Sequence, residues 1–319
     1  MADRNGLASL ETPADPRDQA PATKLVVGHR YLRDAAEYRH WHEILARGFT
    51  EWYGGTSALK KVETGRRHAN ARAMLFPDFT YQVRTAEGKA VAYFNTVPGY
   101  WSGDPQALQD LHYYTDALKV SRRRAAQLGR LYFWTVEVLN VPQLFERITR
   151  RFRESRLAGA NCVVLVSIAV DPEYQRLQIP TMLITAARST AKRLGLKYIV
   201  SPFRPSAYGS YKAERKAAHS SKLFEEYCSL KTEQGLPRDP WMRVLTRNGA
   251  RFLRPEPRSY RVPGLIESFR RFQRTFKPES WYSPSADVWE CGETPTWYVD
   301  PFRQQVLSVE PNIWGFMTV

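Results

Sequence analysis

The sequence has no apolar run of about 18 residues, the length that a membrane-spanning helix needs. Behind its first residues, Met1 to Asn5, there is also no apolar core of the kind that a secretory signal carries. On these two absences we expect a cytoplasmic protein that does not insert into a membrane.

Cysteine is scarce as well. Cys162, Cys228 and Cys291 lie far apart and form no C-x-x-C pair, which argues against a zinc knuckle. We expect three reduced, buried thiols. The one close pair of histidines, His40 and His42, falls in a stretch predicted to be helical, where residues two apart do not share a face. We therefore expect no metal site.

Acidic residues are few compared with basic ones. Against 47 Lys and Arg stand 32 Asp and Glu, so the formal net charge is +15. Such an excess favours acidic partners, among them nucleic acids and polyphosphate ligands. The basic residues are spread along the chain, their densest groups are also typical of solvated helix faces, and no nucleic-acid-binding motif occurs. Nucleic acid is thus an unlikely partner.

What is present is typical of a globular protein: 319 residues, 43% of them hydrophobic and 25% charged. Residues 1–22, rich in Pro, Ala and Asp, predict a disordered tail. From Asp34 to Gly48 the apolar spacing predicts a helix. Alternation over 80–85 and 90–97, with Glu87-Gly88 between, predicts a β-hairpin.

A strand–helix–strand unit follows a long segment that we predict to be a helical insertion, about 100–160. The β-branched run Cys162–Val170 is typical of a strand buried on both faces. Pro180 suits the first turn of a helix, and Gly195 suits its end. The next strand, 197–200, is predicted to run parallel to the first.

The turn between strand and helix, 171–180, contains no glycine. A helix N-terminus offers unpaired N–H groups and a partial positive charge, and after a buried strand it often binds phosphate. An ordinary turn with polar surface residues is equally consistent with the pattern. The candidate donors are the amides of Leu177, Gln178, Ile179 and Thr181 and the side chains of Gln175 and Arg176.

The stretch VDPEYQRLQIPTMLI, Val170 to Ile184, resembles the acyl-CoA loop of the Gcn5-related N-acetyltransferase (GNAT) superfamily, Q/R-x-x-G-x-G/A. Gln175 fills the first position, whereas Gln178 and Pro180 stand where the glycines belong. The resemblance implies an α/β (α+β) GNAT fold, a mixed central sheet with splayed strands, and bound acetyl-CoA or another acyl-CoA. The pyrophosphate would meet the loop amides, and the pantetheine would pair with the strand edge at Ile168, Ala169 and Val170.

The missing glycines have a physical consequence. A positive φ costs a residue such as Gln178 about 1 kcal/mol, and Pro180 cannot adopt it. We therefore expect the loop to use right-handed helical and extended geometry, with about one donor fewer. One hydrogen bond to a charged group is worth about 1.5–3 kcal/mol, so CoA binding would be weaker by tenfold or more.

Four further stretches resemble a longer, stand-alone bacterial GNAT subgroup, distantly similar to polyketide-synthase GNAT-like domains that load or decarboxylate acyl groups for a carrier protein. They are FRPSAYGSY (203–211), GLPRDPWMR (235–243), NGARFLRPEPRS (248–259) and VEPNIW (309–314). The resemblance implies a small-molecule acceptor or an acyl carrier protein as partner. The subgroup often has a histidine shortly after D-P-W-x-R, where this chain has Leu245.

The residues around these stretches supply the candidate catalytic and substrate-binding groups. The GNAT resemblance implies a tyrosine acid near the thiol, and Tyr227 is the first candidate, although a core tyrosine fits too. Ser206 and Tyr211 follow a strand end, where catalytic groups collect, but Ser206 also suits a turn. Arg258 would bind an acidic group or serve as a structural ion pair. Asp239 before Pro240 is equally typical of a helix N-cap.

The sequence therefore predicts an acyl-CoA-dependent acyltransferase. We divide it into a tail, 1–22, a GNAT domain, 23–260, and a C-terminal extension, 261–319, packed on the same domain. The alternatives are a degenerate, non-catalytic acyl-CoA-binding protein, a carrier-protein acyl-loading or decarboxylating enzyme, and a binding module that uses the basic surface.

Overall fold

A computed structural model of the chain describes residues 25–29, 67, 70–108, 122–175, 177–292 and 295–319. The predicted tail, the predicted helix 34–48, the His40/His42 pair and Arg176 lie outside these residues. In the described part, no helix combines the length and apolarity that crossing a bilayer would require.

The described residues include ten strands, seven α-helices with defined bounds and a helical stretch at 70–75. The strands are β1 (Leu25–His29), β2 (Thr80–Thr85), β3 (Ala90–Gly99), β4 (Cys162–Val170), β5 (Tyr198–Phe203), β6 (Arg251–Leu265), β7 (Tyr282–Ser285), β8 (Val288–Glu290), β9 (Thr296–Asp300) and β10 (Gln305–Thr318). The helices are α1 (Arg122–Tyr132), α2 (Pro142–Ala158), α3 (Ile179–Arg193), α4 (Tyr208–Glu214), α5 (Ser221–Ser229), α6 (Pro240–Arg247) and α7 (Ile266–Thr275). A π-helix, Phe133–Val138, joins α1 to α2, and short 3₁₀ turns occupy Pro77–Phe79, Gln106–Leu108, Pro172–Tyr174 and Pro278–Ser280.

All ten strands belong to one mixed sheet. Its order is β1-β2-β3-β4-β5-β10-β9-β8-β7, and β6 lies against β10. The predicted hairpin is confirmed, because β2 and β3 pair antiparallel around Gly88, whose φ is +86°. The predicted strand–helix–strand unit is confirmed by the parallel pairing of β4 with β5. The three cysteines are free and buried, as predicted.

The parallel strands β4 and β5 separate early. They pair only from Cys162/Tyr198 to Val164/Val200. Beyond this point β4 runs on to Val170, and the Ser201 hydroxyl donates to the Leu165 carbonyl at 3.0 Å. A bulge explains the change of direction: on the other side of β4, Leu165 and Ser167 face consecutive residues of β3. A bulge bends a strand and increases its twist, so the splayed strands of the fold prediction are confirmed.

The strands β6 and β10 form the second half of the sheet. β6 contains Pro255, Pro257 and Pro263, which cannot donate to a ladder, and among the described strands it pairs with β10 alone. β10 lies between β5 and β6 in its last residues and between β9 and β6 in its first.

The C-terminal extension has a small core of its own around Phe269, Phe272, Trp297 and Val306. β6 runs through residue 260 without interruption. The predicted boundary between the GNAT domain and the C-terminal extension, at 260/261, stays a prediction.

A buried ion pair connects α4 to this extension. The Lys212 ammonium lies 2.5 Å from the Glu290 carboxylate, and their side chains are 2% and 0% exposed. Thr296 accepts from Lys212 and donates to Oε1 of Glu290, and the same oxygen accepts from the backbone N–H of His219. Burial lowers the pKa of Lys212, and the charge of Glu290 opposes that shift. Each buried charge is therefore matched by the other.

His219 extends this network to β6. One ring nitrogen lies 2.9 Å from the Pro257 carbonyl, which can only accept, so this nitrogen carries the proton. The other nitrogen then accepts from the Tyr208 hydroxyl at 2.9 Å. Burial lowers the pKa of His219 to about 4, so the ring is neutral at pH 7. The network thus ties α4 to β6, β8 and β9.

Replacing Lys212 alone should destabilise the fold. Lys212→Met leaves the Glu290 carboxylate buried without a counter-charge, and breaking a buried pair in this way costs about 3–5 kcal/mol. The double variant Lys212→Met/Glu290→Leu removes both charges and should recover most of that loss. Urea unfolding of both variants measures the difference. A double variant no more stable than the single one would show that the pair is not the source of the stability.

Candidate functional site

Among the described strands, the separation of β4 from β5 leaves one edge of β4 without a neighbour. Ile168, Ala169 and Val170 pair with Phe94, Tyr93 and Ala92 of β3 on their other edge. In an antiparallel ladder the backbone groups of alternate residues point away from the partner. The predicted pantetheine-binding residues therefore present backbone N–H and C=O groups towards the gap.

The turn after β4 is held in place from both sides. Asp171 caps the short 3₁₀ turn by accepting from the Glu173 amide at 3.1 Å. Lys89, in the hairpin turn, lies 3.1 Å from the Glu173 carboxylate and 4.8 Å from the centre of the Tyr174 ring. These contacts fix the path of the chain into α3.

Gln178 corrects one expectation. It was expected to avoid a left-handed backbone, yet it adopts one, with φ 54° and ψ 16°, as the N-cap of α3. The left-handed backbone carries the expected steric cost. The start of the helix is nevertheless determined by the next two residues, because Ile179 is fully buried in the core and the φ of Pro180 is fixed. Gln178 therefore takes the conformation that a glycine would supply at that position in the GNAT loop pattern.

The first turn of α3 has free donors. Among the described residues, the amides of Ile179 and Thr181 have no hydrogen-bond acceptor. The Thr181 hydroxyl accepts from the side-chain amide of Asn248 at 3.3 Å, which connects this turn to the end of α6. Gln175 and Leu177 are exposed beside it. A helix of 15 residues thus begins next to the unpaired edge of β4 with its N–H groups available.

Asp239 organises a second cluster at the end of β5. It caps α6 by accepting from the Met242 amide at 3.0 Å, and its other oxygen accepts from the Ala207 amide at 2.9 Å and the Tyr227 hydroxyl at 2.8 Å. The Ser206 hydroxyl lies 3.5 Å from the carboxylate. Burial, followed by the bond to Asp239, raises the pKa of Tyr227, which keeps the phenol protonated.

The structure brings three of the four predicted catalytic and substrate-binding residues together. The ring of Tyr211 lies 4.9 Å from that of Tyr227, and its hydroxyl donates to Glu226 at 2.7 Å. Arg258 stands apart as an exposed residue of β6. The prediction that Asp239 caps a helix is confirmed. Its hydrogen bond to Tyr227, twelve residues away, could not be predicted from the sequence pattern.

Leu245 lies where the related subgroup often has histidine. It is fully buried on α6 within the main core. Among the described residues there is no group of three or more His, Cys, Asp or Glu arranged to hold a metal ion.

The strain at Gln178 predicts how glycine substitutions will behave in this loop. Gln178→Gly relieves the left-handed strain and should leave stability unchanged or raise it. Gln175→Gly is the matched control, because Gln175 has an ordinary extended backbone with φ −63° and gains only unfolded-state entropy. We expect the two variants to differ by about 1 kcal/mol in unfolding free energy, measured in urea. Equal effects would mean that Gln178 is not strained.

Comparison with solved structures gives matches at low sequence identity. They include the loading GNATL domain of CurA from Lyngbya majuscula, at 14% identity and a TM-score of 0.45, covering 72% of this chain and 85% of that one. The GphF GNAT-like decarboxylase in complex with isobutyryl-CoA has 12% identity and a TM-score of 0.47, covering 92% and 98%. An aminoglycoside 6'-N-acetyltransferase complexed with coenzyme A has 12% identity and a TM-score of 0.37, covering 92% and 96%.

Neither a protein-family model nor a curated protein sequence matches the chain. The strand order, the separated strands β4 and β5 and the turn that starts α3 are observed in this chain itself, and they confirm the prediction of a GNAT-type fold.

Proposed function

We propose that this protein binds an acyl-CoA between β4 and β5 and transfers the acyl group to an acceptor. The observation that carries the proposal is the left-handed Gln178 at the start of α3, with free amides behind it, next to the unpaired edge of β4. The pyrophosphate would bind the amides of Ile179 and Thr181, and the pantetheine would continue the ladder along Ile168 to Val170. Arg176 would add a charged donor.

Acyl transfer requires a polarised thioester carbonyl, a neutral nucleophile and a proton for the leaving thiolate. In this proposal a backbone N–H on the free edge of β4 polarises the carbonyl. Tyr227 is positioned by Asp239 at the end of β5 and is protonated at neutral pH. Because its proton points to the Asp239 carboxylate, that hydrogen bond has to break before Tyr227 protonates a thiolate.

Two observations favour a second candidate, a protein that binds acyl-CoA without turnover. The Tyr227 proton is engaged by Asp239, and Leu245 offers no titratable group where the related subgroup often has histidine. Thiol release from acetyl-CoA in the presence of amine acceptors or an acyl carrier protein separates the candidates: the enzyme releases CoA, and the binding protein does not.

Calorimetric titration of CoA into the purified protein tests the proposed site. We expect the double variant Gln175→Ala/Arg176→Ala to bind at least tenfold more weakly, since one hydrogen bond to a charged group is worth about 1.5–3 kcal/mol. The control is Arg193→Ala, which removes an arginine at the opposite end of α3, where it pairs with Asp78. Equal losses in both variants, or no binding by the wild type up to millimolar CoA, would contradict the proposal.

A further inference from the structure

Two buried N–H donors lie unsatisfied on β6 and β10, beside the end of β5. The Nδ2 amide of Asn312, a residue that is 1% exposed, and the Nε of Arg254 are both buried without a hydrogen-bond partner among the described residues. Buried polar groups almost always have partners, so each exception calls for an explanation. Two of them close together indicate an acceptor that the protein does not itself supply.

The pairing register places both donors on one face of the sheet. Asn312 lies opposite Glu256, and Trp314 lies opposite Arg254. Directly opposed residues point to the same face, as do residues two apart in one strand. Asn312 and Arg254 are therefore diagonal neighbours, about 7–8 Å apart at Cα by the usual strand geometry. The side-chain oxygen Oε1 of Gln106 accepts from Arg254 at 3.4 Å, so the segment around Gln106 reaches this face.

The surrounding charges favour an anionic ligand. Glu256 already pairs with Arg254 at 3.2 Å, and Glu310 pairs with Arg204 at 3.4 Å. Neither carboxylate reaches the two unsatisfied donors. Arg258 is exposed on the same strand as Arg254. The charged side chains in this region are thus three arginines, at 204, 254 and 258, and two glutamates, at 256 and 310. A carboxylate fits best, because its two oxygens accept one N–H each and its charge matches the excess.

This position lies beside the proposed acyl-CoA gap. Asn312 directly precedes Ile313, which pairs with Phe203, the last residue of β5. β5 is the strand that lies between β10 and β4, so Asn312 is one strand away from the gap that opens where β4 leaves β5. A group held by Asn312 would therefore be within reach of an acyl chain or acceptor bound at the gap.

We propose that Asn312 and Arg254 form a binding site for a carboxylate. Its role in transfer rests on the proposed function, because the carboxylate belongs either to the acceptor or to the end of the acyl chain. The site itself depends only on the two donors and their surroundings.

Paired probes that differ in the carboxylate distinguish the two sources. Succinyl-CoA against butyryl-CoA tests the acyl chain, and 4-aminobutyrate against butylamine tests the acceptor without CoA. By calorimetry we expect the acidic member of one pair to bind at least tenfold more tightly, which corresponds to about 1.4 kcal/mol. Free CoA, titrated separately, reports on the proposed function alone.

Two variants connect the discrimination to the residues. Asn312→Leu removes the buried amide and should leave the melting temperature unchanged or higher, since it eliminates an unsatisfied group, while reducing the discrimination to less than threefold. Arg254→Lys retains the charge but loses the Nε donor, and should weaken the preferred acid at least threefold. Arg251→Lys, the same change at an exposed position of β6, should have no effect.

Equal binding within both probe pairs would overturn the proposal. So would a discrimination that survives in Asn312→Leu and Arg254→Lys. Should Asn312→Leu prove much less stable than the wild type, its amide has a structural partner and the proposal also fails. Wild-type protein that discriminates 4-aminobutyrate but does not bind CoA would support this site and contradict the proposed function.

Discussion

The proposed acyl-CoA site depends on the separation of β4 from β5 after three paired residues. A parallel pair that stayed together would satisfy its own backbone, and the end of β4 would have nothing to offer a ligand. The bulge opposite β3 turns β4 away, and the exposed edge leads directly into the turn before α3. Strand edge and helix N-terminus thus become two parts of one surface, one able to pair with amides and the other with phosphate.

The other side of the gap depends on how the C-terminal half is attached. β10 supplies the neighbour that β5 needs, and α4 is held to β8 and β9 by the buried pair of Lys212 and Glu290. A buried ion pair is weak evidence for net stability, because desolvation offsets most of the attraction. Its clearer consequence is specificity: α4 can dock only where Glu290 meets Lys212. That docking fixes the segment after β5, where Asp239, Ser206 and Tyr227 meet.

Local features could be predicted from sequence, and features that depend on distant partners could not. The hairpin around Gly88 and the Asp239 cap follow from residues close together in sequence, and the strand–helix–strand unit follows from the apolar patterns of consecutive segments. β6 was missed, because its prolines argue against a strand; among the described strands it pairs with β10 alone, and prolines are tolerated in such edge strands. Gln178 was judged by its own steric cost, whereas Ile179 and the fixed φ of Pro180 decide its backbone. The burial of Asn312 could not be predicted from the sequence, since it results from the pairing of β10 with β6.

Amide hydrogen exchange on the full-length protein, with and without saturating CoA, tests the account most directly. The proposed site predicts slower exchange in two segments only, the end of β4 from 165 to 170 and the start of α3 from 177 to 181. Protection of both would place the ligand at the edge of the separated strand and the helix N-terminus together. Protection confined to other segments, or none at saturating CoA, would contradict the claim that the separation of β4 and β5 forms a binding site.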